Sequence, residues 1–147
     1  MTKKDILNHL HFLLEQKINE CQAAIKEVQS AMSAETKSSA GDKHETSREM
    51  MKQSRDQMEG QLGQYQKQIH QLKSLAQRKS QVVQAGSWVK TKKQSFFFGI
   101  ALGRISLHNQ TIFVVSAQAP LAIAFLGKKE GDKVSFRGEE YHIKSIQ

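Results

Sequence analysis

Two carboxylates three residues apart, Asp42 and Glu45, lie in the stretch SSAGDKHETSREMM (38–51), where a long helical pattern breaks. Held out at a bend, they would be a working pair of acids. At the start of a helix, Asp42 as N-cap and Glu45 three positions on would instead satisfy orphan backbone donors reciprocally. The two uses compete, because a carboxylate spent on backbone N–H groups has fewer lone pairs left for anything else. His44 beside them suggests a His–Asp metal constellation, against the simpler reading of a solvated loop histidine. The other histidines, His9, His11, His70, His108 and His142, lack close ligand spacing, since His9 and His11 fall on different faces of a helix, and no zinc site or nucleophilic triad emerges. Cys21 is the only cysteine, which excludes an intrachain disulfide and a four-thiolate zinc site.

The elements that must position the acids follow from the residues on either side. From Lys3 to Lys79 there is no proline and glycine occurs only at 41, 60 and 63, while Gln, Lys, Glu, Met and Ala dominate. Such residues lose little entropy in a helix. Leu7, Leu14, Cys21 and Val28 recur every seven residues, interleaved with His11, Ile18, Ile25 and Met32. A second seam joins Met51, Met58, Tyr65 and Leu72 to Arg55, Leu62, Ile69 and Ala76. This is coiled-coil spacing. Two seams of equal length about one polar break predict an antiparallel helical hairpin over 1–80, with arms of roughly 45 Å at 1.5 Å per residue. One continuous helix in a parallel dimer is the competing arrangement, opposed by Ser38–Gly41, whose serines bond locally and whose glycine favours a stop. The second arm, carrying Arg55, Gly60 and Gly63, is expected to be the softer one.

After Val82 the composition changes to short Val, Ile and Phe runs punctuated by glycine, which reads as strands and turns. Residues 87–91, 95–102, 110–116, 132–137 and 139–146 are five strand candidates, with a short helix opened by Pro120 and stopped by Gly127. Arg137-Gly138-Glu139 reads as a tight turn. The chain is therefore expected to be α+β, with a small antiparallel sheet domain and one short helix over 81–147. Phe96 and Phe98 would share one sheet face and Phe97 the other; core packing on both faces competes with exposure of one ring to stack on a base or meet a partner.

The formal charge is +8 over 147 residues. Residues 81–147 carry nine Lys/Arg against four Asp/Glu, net +5, and 1–80 carry thirteen against ten, net +3. Excess positive charge favours an anionic partner, nucleic acid or a nucleoprotein machine. Lys90, Lys92 and Lys93 with Lys128 and Lys129 are the candidate basic patch, a solvated surface being the plain alternative. No run approaches the roughly 20 apolar residues that span a bilayer, and Asn8, His9, His11 and Glu15 interrupt any signal-like core. A cytoplasmic monomer with no membrane partner is expected.

The order of parts, the run SAQAPLAIAFLGKKEGDKVSF and the closing YHIKSI resemble the bacterial Gre family of transcript cleavage factors. Pro120, Leu121, Ala124, Leu126, Gly127, Lys128, Gly131, Asp132 and Val134 match the family pattern, and GSWVKT at 86–91 resembles the opening of its second domain. The resemblance implies an FKBP-like fold for 81–147, and bacterial RNA polymerase as partner, with RNA or DNA of the transcription complex nearby. It implies that the sheet domain docks at the secondary channel through a turn corresponding to Gln118, Ala119, Pro120 and Leu121, while the hairpin enters the pore. Its two tip acids would help hold a Mg²⁺ shared with the polymerase active site. Magnesium prefers oxygen ligands and keeps several waters, so a visiting carboxylate can complete its shell, and a metal pair stabilises attacking and leaving oxygens in phosphoryl chemistry.

Two registers remain open at the tip. Aligning DKHE with the family's acids assigns the metal role to Asp42 and Glu45; aligning Arg48-Glu49 with the family's Arg-Glu puts the acidic positions on Lys37 and Ala40 and removes the carboxylates. The chain is thus expected to stimulate the polymerase's own RNA cleavage at most, with no catalytic residues of its own, or to occupy the channel without stimulating it. Two other readings stand beside this one. They are an FKBP-type peptidyl-prolyl isomerase, needing an aromatic pocket from Trp88 and the Phe cluster, and a coiled-coil adaptor dimerising through 5–76.

Overall fold

The computed structural model describes the backbone of residues 1–36 and 42–147 and the side chains of 1–34 and 45–147. Two long helices come first, α1 (Lys3–Thr36) and α2 (Asp42–Leu75). They are separate helices paired antiparallel: Lys17 Nζ lies 5.6 Å from the Tyr65 ring centre, and Lys3 Nζ donates to Arg78 O at 2.9 Å. The chain divides into two compact units, Phe12–Ile69 and Met1–His11 with His70–Gln147.

The expected seams are the sides the helices cover. Leu14 and Ile25 are buried, while His11, Ile18, Cys21, Val28, Met32, Met51, Arg55, Met58, Leu62, Tyr65 and Ile69 are half-buried. Ala76 departs from this pattern: it is exposed and lies beyond the end of α2. A reciprocal cap opens α1. Thr2 N–H donates to Asp5 Oδ2 at 2.8 Å and Asp5 N–H to Thr2 Oγ1 at 3.3 Å, so two orphan donors are satisfied by side chains three apart. The Thr2 backbone N–H, then the Thr2 hydroxyl, hold the Asp5 carboxyl below its ordinary pKa.

The remainder forms one six-stranded sheet in the order β3-β4-β2-β1-β6-β5. The strands are β1 (Trp88–Thr91), β2 (Ser95–Gly99), β3 (Gly103–Leu107), β4 (Gln110–Ser116), β5 (Lys133–Phe136) and β6 (Glu139–Ile146), with α3 (Pro120–Phe125) between β4 and β5. The sheet is mixed where an antiparallel one was expected, because β2 and β4 run parallel from Ser95↔Ile112 to Gly99↔Ser116. A parallel pair needs a long connection, and residues 100–109, with β3 inside them, supply it. The expected strand 95–102 therefore ends at Gly99. β3 went unanticipated because its turn into β4 is His108–Asn109, two non-glycine residues at φ 50° and 60°, with Leu107 opposite Gln110. Asparagine and histidine enter the left-handed region more readily than most residues, and two such residues in sequence fit a two-residue hairpin. Arg137 and Gly138, at φ 48° and 80°, form the second such turn, where one was expected.

Alternation gives the sheet two apolar faces. Val89, Phe96, Phe98, Val134, Tyr141 and Ile143 pack with Ala122 and Phe125 of α3, the Phe96 ring stacking 5.6 Å from Phe98 and meeting Tyr141 edge-on at 5.7 Å. Trp88 and Phe97, opposite each other in register, take the other face. Leu75 packs on that side: a Cβ added at Gly99 would stand 2.5 Å from Leu75 Cδ1 and 3.4 Å from the Phe97 ring. Ile6, Leu10, Leu72 and Leu75, from the helix ends in this unit, are likewise buried. All three rings of Phe96–Phe98 are buried, so core packing holds for each of them and none is free to stack on a base.

Candidate functional site

At the paired end of the hairpin the described side chains begin at Glu45. The side chains of Asp42 and His44, and residues Lys37 and Ala40 of the alternative register, lie outside the described residues. Glu45 is exposed and, with Met32, Arg48, Glu49, Lys52 and Arg55, lines a concavity of about 430 Å³. Three cations and two carboxylates make this surface net positive by one charge. Their spacing of three and four residues puts them on one helical face. Arg55 also occupies the seam. Its Nη2 lies 3.6 Å from Asp56 Oδ1, and its Nε is buried with no hydrogen-bond partner among the described residues. Among the described residues there is no group of three histidines, cysteines or acids placed to hold a metal.

Next to this charged surface lies an apolar groove of about 820 Å³ lined by Val28, Ala31, Met50 and Met51, with Glu27 and small hydroxyl residues at its sides. Met50 is 66% exposed.

In the sheet unit, Gln118–Leu121 is a structured turn into α3. Ala119 N–H donates to Ser116 O at 3.0 Å, Gln118 N–H to Ser116 Oγ at 3.3 Å, and Ile123 N–H to Ala119 O at 3.0 Å. Pro120 occupies the first helical turn, where its missing N–H costs nothing. Gly127, at φ 77°, ends the helix. Gln118 and Pro120 are exposed, Ala119 is half-buried, and Leu121 packs against the core. Two exposed apolar side chains stand here that the sequence reading does not assign to the docking turn: Ile123 on the helix and its C-cap Leu126, 57% and 58% exposed. The signal was their three-residue spacing, out of step with Ala122 and Phe125, which anchor the opposite side.

The five candidate lysines fall in two places. Lys90 Nζ sits 4.4 Å from the Trp88 ring centre, Lys92 is exposed beside β6, and Lys93 Nζ pairs with Glu139 Oε2 at 2.9 Å. That hydrogen bond and its charge raise the Lys93 pKa and lower that of Glu139. Lys128 and Lys129 are exposed in the loop after α3, joined to Val82 and Val83. Lys92 N–H bonds to His142 O, whereas Lys129 shares a cleft with Ile146. Four strand residues, roughly 13 Å of β6, separate the two groups.

No described helix is long and apolar enough to cross a membrane. No protein-family model matches the chain, and no curated protein sequence matches it. Among solved structures, the chain is similar to the crystal structure of GreA factor homolog 1 (Gfh1) protein of Thermus thermophilus. The sequence identity is 17% and the TM-score 0.36, and the likeness covers 93% of this chain and 94% of that one.

Proposed function

We propose that the chain is a Gre-like transcription elongation factor that binds bacterial RNA polymerase at its secondary channel as a monomer. It modulates elongation rather than catalysing a reaction of its own. Two features support the reading: a helical hairpin followed by a sheet domain, and the sequence resemblance concentrated on the turn and loop around α3. The observation that carries it is the surface of α3. Pro120 and Ile123 on a short helix, and Leu126 at its C-cap, are exposed, while Ala122 and Phe125 fix the helix in the core. A rigid apolar projection at a structured turn is the kind of anchor around which protein interfaces concentrate their binding energy.

The surroundings of Glu45 favour a channel occupant with weak cleavage stimulation. Any Mg²⁺ would be held mainly by the polymerase, to which Glu45 could lend one oxygen ligand; when bound, the ion would supply charge stabilisation to the phosphoryl oxygens. Arg48, Lys52 and Arg55 line the same concavity as that carboxylate and offset its charge.

Two measurements test the reading. Co-purification with RNA polymerase at physiological salt is expected, weakened by substitution of Pro120 and Leu121; failure of the unaltered chain to associate overturns the assignment. RNA cleavage in a backtracked polymerase complex with added magnesium is expected to rise weakly and to fall back with Asp42→Ala or Glu45→Ala. Robust cleavage indifferent to the paired substitution would remove these acids as metal ligands.

A further inference from the structure

The segment that leaves α2 runs back along the loop after α3. Val82 and Lys129 form an antiparallel bridge, and Val83 N–H donates to Lys128 O at 2.8 Å. Ser80, Gln81, Lys129, Glu130 and Ile146 line the resulting cleft of about 430 Å³. Its lining holds one cation and one anion, Lys129 and Glu130, so the excess positive charge comes from the approach through Lys3, Arg78 and Lys79; the acids here accept backbone N–H groups. Glu130 Oε1 accepts Ile146 N–H at 3.3 Å, and Asp132 Oδ2, at the next turn, accepts Lys129 N–H at 2.8 Å.

Cations approach the cleft along the same segment. Lys3 Nζ donates to Arg78 O at 2.9 Å. Burial, then the neighbouring Lys79 ammonium, lower the Lys3 pKa, so the fold holds two like charges close together. Among the described residues, no carboxylate lies within ion-pair distance of Lys3, Arg78, Lys79 or Lys129. By contrast Lys93 and Lys133 are paired with Glu139 and Glu140.

We propose that this cleft and its cationic approach, comprising Lys3, Arg78, Lys79, Ser80, Gln81 and Lys129, dock the phosphate backbone of double-stranded nucleic acid without regard to sequence. Ammonium, guanidinium, hydroxyl and amide donors are the groups that meet phosphate and sugar oxygens. An acidic protein partner would need a desolvated apolar or aromatic anchor at its centre, and Ile146 is the cleft's single apolar residue. Single strands are held largely by stacking on aromatic rings. In this unit Trp88 and Phe96–Phe98 are buried and Phe113 and Phe136 half-buried, leaving no exposed platform. The proposal stands apart from the polymerase reading, since either could fail alone.

The test is fluorescence anisotropy of a labelled mixed-sequence 20-base-pair DNA duplex titrated with the full chain at several salt concentrations. It compares R78Q/K79Q/K129Q with K26Q/K52Q/K67Q, which removes equal charge from exposed positions on the two long helices; Lys3 is left intact because its bond to Arg78 O ties the start of α1 to the segment that follows α2. Each backbone contact contributes about −0.9 to the slope of log K against log salt. The first variant should therefore lower the steepness by about 2 to 3 and weaken binding about tenfold or more, while the control retains most of both. Matched melting curves show that folding is intact, and single substitutions K79Q and K129Q, each lowering the slope by about 1, serve if the triple variant unfolds. Absence of duplex binding at low salt, equal loss in the control, tighter binding of the single strand, or equal binding of polyglutamate would each overturn the proposal.

Discussion

Phe12–Ile69 and the sheet unit solve the burial problem in opposite ways. Within the helical unit only Leu14 and Ile25 are buried apolar residues among those described, and the rest of its seam is half-covered. The sheet unit buries whole aromatic rings on both faces, Trp88 and Phe97 on one, Phe96, Phe98 and Phe125 on the other. A two-helix pair cannot enclose its own seam, so its local stability is low by construction. The lesson is functional: the sheet unit can hold α3 as a rigid surface, while the hairpin carries polar seam residues such as Arg55 at modest cost.

The largest expected effect lies in the sheet. Phe97→Ala removes a fully buried ring and should destabilise the sheet unit by about 3–5 kcal/mol, seen as a lower denaturant midpoint. A loss below about 1 kcal/mol would mean that the two units do not differ as described. Ile25→Ala should cost about 2 kcal/mol, and hydrogen exchange should show it as faster opening confined to α1 and α2. Opening that spreads equally into β2 and β4 would contradict independent local stabilities. Gly60 and Gly63 have nothing within 4 Å of an added Cβ, so Gly60→Ala and Gly63→Ala should each stabilise α2 by about 0.5–1 kcal/mol, measured by the same exchange.

The smallest effect is at the start of α1. The lowered pKa of Asp5 means that its carboxylate contributes stability above the unfolded carboxyl value, and this is lost as pH falls through the lower folded value. Asp5→Asn should therefore melt slightly below the unaltered chain at pH 7, and the gap should close on acidification below about pH 4. A gap that persists at pH 2 would exclude the charged cap.

Much of this contrast was legible in the residues. The seven-residue seams anticipated the covered sides of α1 and α2 because helical spacing repeats over many turns, and Pro120 and Gly127 bounded α3 because each constrains the backbone on its own. β3 was not legible, since nothing local announces a turn made by His108 and Asn109 or a fourth strand inserted parallel to the second. A reciprocal cap of the kind expected at Asp42 and Glu45, where the Asp42 side chain lies outside the described residues, is present at Thr2 and Asp5, whose identical three-residue spacing carries no such expectation in the sequence reading. The separation of Lys90–Lys93 from Lys128–Lys129 depends on sheet order, which charge counting cannot supply.

The most direct test of the central claim is the affinity of the full chain for bacterial RNA polymerase, measured by titration, against an Ile123→Glu/Leu126→Glu variant. Both side chains are already exposed, so the variant should melt like the parent and bind at least about tenfold more weakly. Equal binding by the two chains, or no binding by either, would contradict the account.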